Sequence, residues 1–202
     1  MDKEHLIKMY DGQAGVYDNL RRRKKFFDHG WRQRLLSAAK GEILEVSVGA
    51  GANFKFYAAD AAVTAVDLSP AMIEYAKAAA RDSGIKAEFI TAKVEELDFG
   101  PGRFDTVVST LSLCAYDDPV YVLNGFSRWC KKDGIILLLE HGISRYGWIH
   151  WLQNRFDALQ YRKIGCHANR DILGIVRQSG LQINRYERKL LGALYLIWAK
   201  PM

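Results

Sequence analysis

Glu42-Ile-Leu-Glu-Val-Ser-Val-Gly-Ala-Gly-Ala-Asn-Phe-Lys-Phe-Tyr57 is the stretch whose reading decides the fold. Its first half, Glu42 to Val48, is short and largely apolar between Gly41 and Gly49, the pattern of a strand buried on both faces. Gly49-Ala50-Gly51-Ala52 follows at once. Small residues let the chain turn sharply and bring its backbone against a ligand. A strand running into such a turn is where a doubly wound α/β sheet binds a nucleotide-like ligand.

The spacing is not Gly-x-Gly-x-x-Gly, and no Gly-Lys-Ser/Thr follows, which excludes the dinucleotide fingerprint and the P-loop. Glu45 precedes Gly49 by four residues, and Asp67 closes the next apolar run, Ala62 to Val66. A carboxylate at that strand tip can accept from both hydroxyls of a ribose. Without a phosphate cradle, the turn and the acid suit an adenosine bearing a charged amino-acid tail.

Glu45-x-x-x-Gly49-x-Gly51, then Asp67, then Phe104-Asp105-Thr106-Val107-Val108-Ser109, then a strand led by Gly134, resemble the class I S-adenosylmethionine-dependent methyltransferases over about residues 10–200. The resemblance implies an α/β, Rossmann-like, doubly wound seven-stranded sheet, mostly parallel with an antiparallel last strand. It implies S-adenosyl-L-methionine as cofactor and no metal. The implied cofactor contacts are Tyr17, Glu45, Gly49, Gly51, Asn53, Asp67, Leu68, Met72, Val94, Glu95, Thr110 and Leu111. Tyr17 lies in a Tyr10-Asp11…Tyr17-Asp18 segment similar to the lids of small-molecule methyltransferases. Tyr17 and His141 are the catalytic candidates, His141 as a base for an acceptor that must lose a proton. A packed tyrosine and a strand-capping histidine remain the plainer readings. Two positions depart from the family: Ser47 stands where glycine is usual, and Lys93 where an acid often holds the adenine amino group. Adenine contacts would then fall near Val94 and Glu95.

The chain of 202 residues, 49% hydrophobic, has the length of one domain with one good core. We divide it into a helical lid (1–41), a cofactor-binding core (42–141), an acceptor-side insertion (142–170) and a final helix and strand pair (171–202). Helices are expected over 2–11, through Phe27, Trp31 and Leu35, from Phe54 onward, over Pro70–Asp82 behind an N-cap at Ser69, over 119–131 and over 171–179. Strands are expected over 42–48, 62–66, 86–90, 104–109, 135–139, 181–188 and 193–200. No apolar run reaches transmembrane length, and Met1-Asp2-Lys3-Glu4-His5 is too polar for a secretory signal. Cys114, Cys130 and Cys166 have no zinc-site spacing and read as reduced thiols, so a cytoplasmic protein is expected.

Charge is unevenly spread. Residues 1–41 hold 10 basic and 5 acidic side chains, 42–141 hold 9 and 15, and 142–202 hold 10 and 3. Basic flanks around an acidic centre suit an anionic acceptor or surface. Arg21-Arg22-Arg23-Lys24-Lys25 before Phe26, Phe27 and Trp31 reads as a solvated face or as peripheral contact with an anionic membrane. Nucleic acid is disfavoured, since Thr110-Leu111-Ser112-Leu113 replaces the Asn/Asp-Pro-Pro-aromatic motif of many nucleic-acid methyltransferases. Leu111-x-Leu113-Cys114 and Glu140-His141, with the glycine stretch, look like alkyl-thiol methyltransferases and bacterial phospholipid N-methyltransferases. The expected acceptor is therefore small, amphipathic or lipid-like, a thiol or an amine. A non-catalytic binding protein of the same fold, an RNA methyltransferase and a quinone methyltransferase remain alternatives.

Overall fold

The computed structural model describes residues 2–23 and 28–202. In chain order the strands are β1 (Glu42–Val46), β2 (Ala62–Asp67), β3 (Lys86–Thr91), β4 (Phe104–Thr110), β5 (Cys130–His141), β6 (Leu181–Lys189) and β7 (Leu194–Pro201). The α-helices are α1 (Lys3–Arg22), α2 (His29–Leu36), α3 (Pro70–Ser83), α4 (Pro119–Trp129), α5 (Gly147–Ile164) and α6 (Ile172–Gln178). Among the described residues the seven strands form one sheet in the order β3-β2-β1-β4-β5-β7-β6. β7 is antiparallel to both neighbours, and the pairs from β3 across to β5 are parallel. This is the expected α/β doubly wound sheet with its last strand reversed.

The order reverses direction between β1 and β4, and a crevice opens there beyond the carboxyl ends of the strands. Both strands are largely buried on both faces, because helices cover both sides. Ile43 packs with Leu35, Leu36, Ile73 and Ala76 on one side. Leu44, Val46 and Val107 pack with Phe126, Trp129, Val176 and Tyr195 on the other. α3 follows its sequence signals: Ser69 Oγ accepts from the Met72 N–H at 3.1 Å, Pro70 opens the first turn, and Gly84 ends the helix at φ 68°.

Three local expectations change, and the 142–170 stretch acquires a defined element. Past the glycine turn there is a single 3-10 turn, Phe54–Phe56, where a helix was expected. That turn touches both α2 and α3, so buried Phe54 and Tyr57 fill the layer that a helix would occupy. α1 runs unbroken through Gly12 and Gly15 where a stop near Asp11 was expected. Two interior glycines cost about 1 kcal/mol each, and tertiary anchoring offsets this: Leu6, Ala14 and Asp18 are buried, and Asp11 Oδ1 accepts from Ser69 Oγ at 2.5 Å. β5 begins at Cys130, ahead of Gly134, across an irregularity in its pairing with β4. Finally, the 142–170 insertion is a long helix, α5, with no buried residue. Trp31 and Leu35 lie on α2 as expected, whereas Lys24, Lys25, Phe26 and Phe27 fall outside the described residues. Among the described residues no helix is long and apolar enough to cross a membrane.

Candidate active site

A cavity of about 310 Å³ occupies the crevice, the size of a small-molecule site. Its floor is the glycine turn. Gly49 has φ 54°, and a Cβ built there would meet nothing within 4 Å, so its backbone faces open space. The Gly49 N–H donates to Asp67 Oδ2 at 2.8 Å, and the Ser69 N–H donates to Oδ1 at 2.9 Å. Each carboxylate oxygen keeps a further acceptor site. Burial raises the pKa of Asp67 against the pull of these backbone donors. Gly51 serves packing: at φ 78°, a Cβ would lie 2.7 Å from Ala79 Cβ and 3.0 Å from the Phe54 ring.

Glu45 and Asn53 lie beneath this floor. Glu45 accepts from Asn53 Nδ2 at 2.8 Å and from the Tyr57 hydroxyl at 2.7 Å. Burial pushes the Glu45 carboxyl up to about 7, despite the donors from Tyr57 and Asn53. Arg32 completes the network from α2. Its Nε donates to Asp28 at 2.6 Å, and its Nη1 donates to Asn53 Oδ1 at 2.7 Å and Thr110 Oγ1 at 3.0 Å. A buried cation thus borders the cavity beside the β4 exit.

The two departures from the family pattern each have a partner. Ser47 holds φ 49°, a left-handed conformation that favours glycine, and its Oγ lies 2.9 Å from the Tyr116 hydroxyl. Lys93 is held by Asp117 at 2.8 Å and stands 3.6 Å from Glu95 Oε1. Glu95 Oε1 is buried without a hydrogen-bond partner among the described residues. A buried acceptor with no hydrogen bond is costly, and Lys93 gives this atom only an ion-pair contact, so it fits a ligand that brings an N–H.

At the opposite end, three segments converge. His141 ends β5, Cys114 follows β4, and Cys166 follows the left-handed Gly165 that ends α5. His141 Nε2 lies 2.9 Å from Cys166 Sγ. The ligand atoms of Cys114, His141 and Cys166 all lie within 4.8 Å of one another. Sharing a hydrogen bond pushes the Cys166 thiol down to about 5 against its burial, with His141 contributing, and pushes Cys114 up. Burial lowers the His141 pKa, and the Cys166 sulfur more than offsets this. His141 is therefore one half of an imidazole–thiol pair.

Of the expected site residues, Tyr17, Gly49, Asp67, Leu68, Met72, Val94, Glu95, Thr110, Leu111 and His141 line the cavity, and Glu45, Gly51 and Asn53 do not. Arg32, Tyr116, Gln160 and Cys166 also line it and escaped the sequence reading, and Cys114, noted there only within Leu111-x-Leu113-Cys114, joins them. An Asp28-x-x-x-Arg32 helix pair was a legible signal for Arg32 alone. The cysteines are too far apart in the chain for spacing to reveal them.

A sheet of this order, with a glycine turn after its first strand and an acid at the tip of its second, defines the class I methyltransferase fold. The chain carries the fold and the motif order of the class I S-adenosylmethionine-dependent methyltransferases. A methyltransferase-domain family model matches residues 44–138. The mitochondrial methyltransferase OMS1 of Saccharomyces cerevisiae is 30% identical over 95% of this chain and 45% of its own length. The phosphatidylethanolamine N-methyltransferase of Cereibacter sphaeroides is 32% identical over 52% of this chain and 53% of its own. Human thiol S-methyltransferase TMT1B is 33% identical over 60% of this chain and 52% of its own. The chain spans about half the length of these curated relatives. Among solved structures, the [4+2]-cyclase SpnF superposes with a TM-score of 0.77 at 15% identity, covering 97% of this chain and 95% of that one. A methyltransferase from Methanosarcina mazei gives 0.63 at 20% identity, covering 80% and 92%. Both share the fold.

Proposed function

We propose that this chain binds S-adenosylmethionine in the crevice and transfers its methyl group to a small amphipathic or lipid-like acceptor, a thiol or an amine. The observation that carries the reading is one continuous cavity running from Gly49, Asp67 and Glu95 to His141 and Cys166. The first group matches the nucleoside and the second faces the acceptor. The open space over Gly49 and the Glu95 oxygen that has no hydrogen bond fit that cofactor. The free acceptor sites of Asp67 would take the ribose hydroxyls, Glu95 Oε1 the adenine amino group, and Arg32 the carboxylate of the amino-acid tail. The cofactor, when bound, supplies a methyl group on a sulfonium with its own leaving group. Tyr10 and Tyr17 of α1 and Gln160 and Ile164 of α5 close the cavity sides and exclude water. Positioning two reactants in this way is worth several kcal/mol of barrier. The His141–Cys166 pair can hold the proton of an acidic acceptor.

The lipid-like character of the acceptor finds support on the outer face of α5. Trp148 and Trp151 are each 65% exposed, and Phe156 and Leu159 are exposed with them. Arg155, Arg162 and Lys163 stand among these rings, the pattern of a helix lying in a lipid interface. The inner face of the same helix lines the cavity. The protein is thus proposed to work at an anionic membrane surface, drawing its acceptor from there. In the N-terminal basic run, Arg21 and Arg22 are both tied to Asp18 at 2.8 Å, so α5 is the better docking face.

Calorimetry with S-adenosylmethionine, followed by an acceptor panel with labelled cofactor, tests the proposal. The panel should include an alkyl thiol, phosphatidylethanolamine vesicles, a quinol and RNA. Label should appear on the thiol or the amine. Cofactor binding with no transfer to any member would favour the non-catalytic binding protein, and label on RNA or quinol would replace the acceptor class.

A further inference from the structure

The Cys114–His141–Cys166 cluster has a donor set and a placement that methyl transfer by itself does not require. We propose that these three side chains form a binding site for zinc or a similar thiophilic divalent cation, with a fourth coordination position open to the cavity. This extends the function proposed above: the open position would take the sulfur of a thiol acceptor.

The ligand set is two thiols and one imidazole, and three protein ligands with one exchangeable position is the arrangement of catalytic zinc sites. At zinc–sulfur and zinc–nitrogen bond lengths of about 2.3 and 2.0 Å, tetrahedral ligands stand roughly 3.5–3.8 Å apart. The three ligand atoms already lie within 4.8 Å of one another, with His141 Nε2 2.9 Å from Cys166 Sγ. Shifts below about 1 Å would bring them to that geometry. Charge also balances. A divalent cation with two thiolates and a neutral imidazole carries no net charge, which suits a site where Cys114 and Cys166 are buried.

The surroundings keep the ligands in place. The His167 N–H donates to the Cys114 carbonyl at 3.0 Å, joining the loop after β4 to the segment after α5. Gln160 Nε2 reaches Cys166 Sγ at 3.8 Å, an outer hydrogen bond of the kind that orients metal ligands. All three ligand residues line the cavity. A thiol R–SH entering there would bind through sulfur, release its proton to solvent and stand in the site as a thiolate.

The test is a cobalt(II) titration of the full-length, reduced, metal-stripped protein, since cobalt reports thiolate ligation by near-ultraviolet charge transfer and tetrahedral geometry by intense visible bands. One cobalt per chain with both features, displaced by zinc, is the expected result. Adding 1-hexanethiol should increase the charge-transfer band. Cys166→Ser and Cys114→Ser should each reduce that band and weaken binding at least about tenfold, as His141→Gln should. Cys130→Ser, remote from the cavity, should leave the titration unchanged. If the variants do not fold, the wild-type spectrum still decides. Absence of the charge-transfer band at stoichiometric cobalt, or its survival in Cys166→Ser/His141→Gln, overturns the site. Calorimetry with S-adenosylmethionine reads the cofactor separately, so loss of one result leaves the other standing.

Discussion

Gly49 and Gly51 look equivalent in the sequence and do different work. Gly49 borders open space, so Gly49→Ala should cost about 1–2 kcal/mol for a left-handed alanine and also place a methyl group where the ligand belongs. Gly51→Ala adds a collision with Ala79 and Phe54, and overpacking of this kind costs a further 1–3 kcal/mol, roughly. Urea unfolding should therefore rank Gly51→Ala as the less stable variant. Calorimetry on folded protein should show the larger loss of S-adenosylmethionine affinity in Gly49→Ala. The reverse ranking in both measurements would mean that the turn approaches the ligand at Gly51. Ser47 teaches the same lesson from the other side. A residue in a glycine's conformation survives because its hydroxyl finds Tyr116 across the crevice.

At the scale of elements, α1 and α5 wall the cavity and are held differently. α1 is anchored through Asp11 and the buried Asp18, and its two glycines are not demanded by space. A Cβ on Gly12 would meet nothing within 4 Å, so Gly12→Ala should stabilise the fold by about 0.5–1 kcal/mol through helix propensity. A rise in the urea midpoint with lower turnover would show that α1 must open during the cycle, and a fall in the midpoint would refute the argument. α5 buries no side chain, yet it shows solvent a row of aromatic rings. Replacing Trp148 and Trp151 with Ser should sharply reduce co-sedimentation with anionic vesicles and leave cofactor affinity unchanged. Equal sedimentation of both proteins would move the docking surface elsewhere.

Taken whole, the molecule buries two carboxyls under its crevice, and both should make stability depend on pH. Burial pushes Glu45 and Glu140 up to about 7. A carboxyl raised above its unfolded value favours the fold most below that value, near pH 4.5, and this contribution is lost as pH rises through about 7. Each group can account for about 3 kcal/mol at the limit. Glu45→Gln removes one of the two titrations, so the stability difference between wild type and variant should shrink from pH 5 to pH 8, on the order of that limit. Parallel unfolding curves across the range would show that Glu45 does not titrate there.

The sequence by itself determined the sheet, the order of its motifs and the residues at the glycine-turn end of the cavity. Those features depend on local chemistry: apolar runs, a glycine turn, an N-cap at Ser69, an acid at a strand tip. Only the tertiary structure decided that Glu45 and Asn53 sit beneath the floor, that α1 continues past its glycines, and that Arg32 borders the site. It alone brought Cys114, His141 and Cys166 together. These three stand at the ends of three separate elements, and long-range packing sets their distances, which no spacing along the chain records.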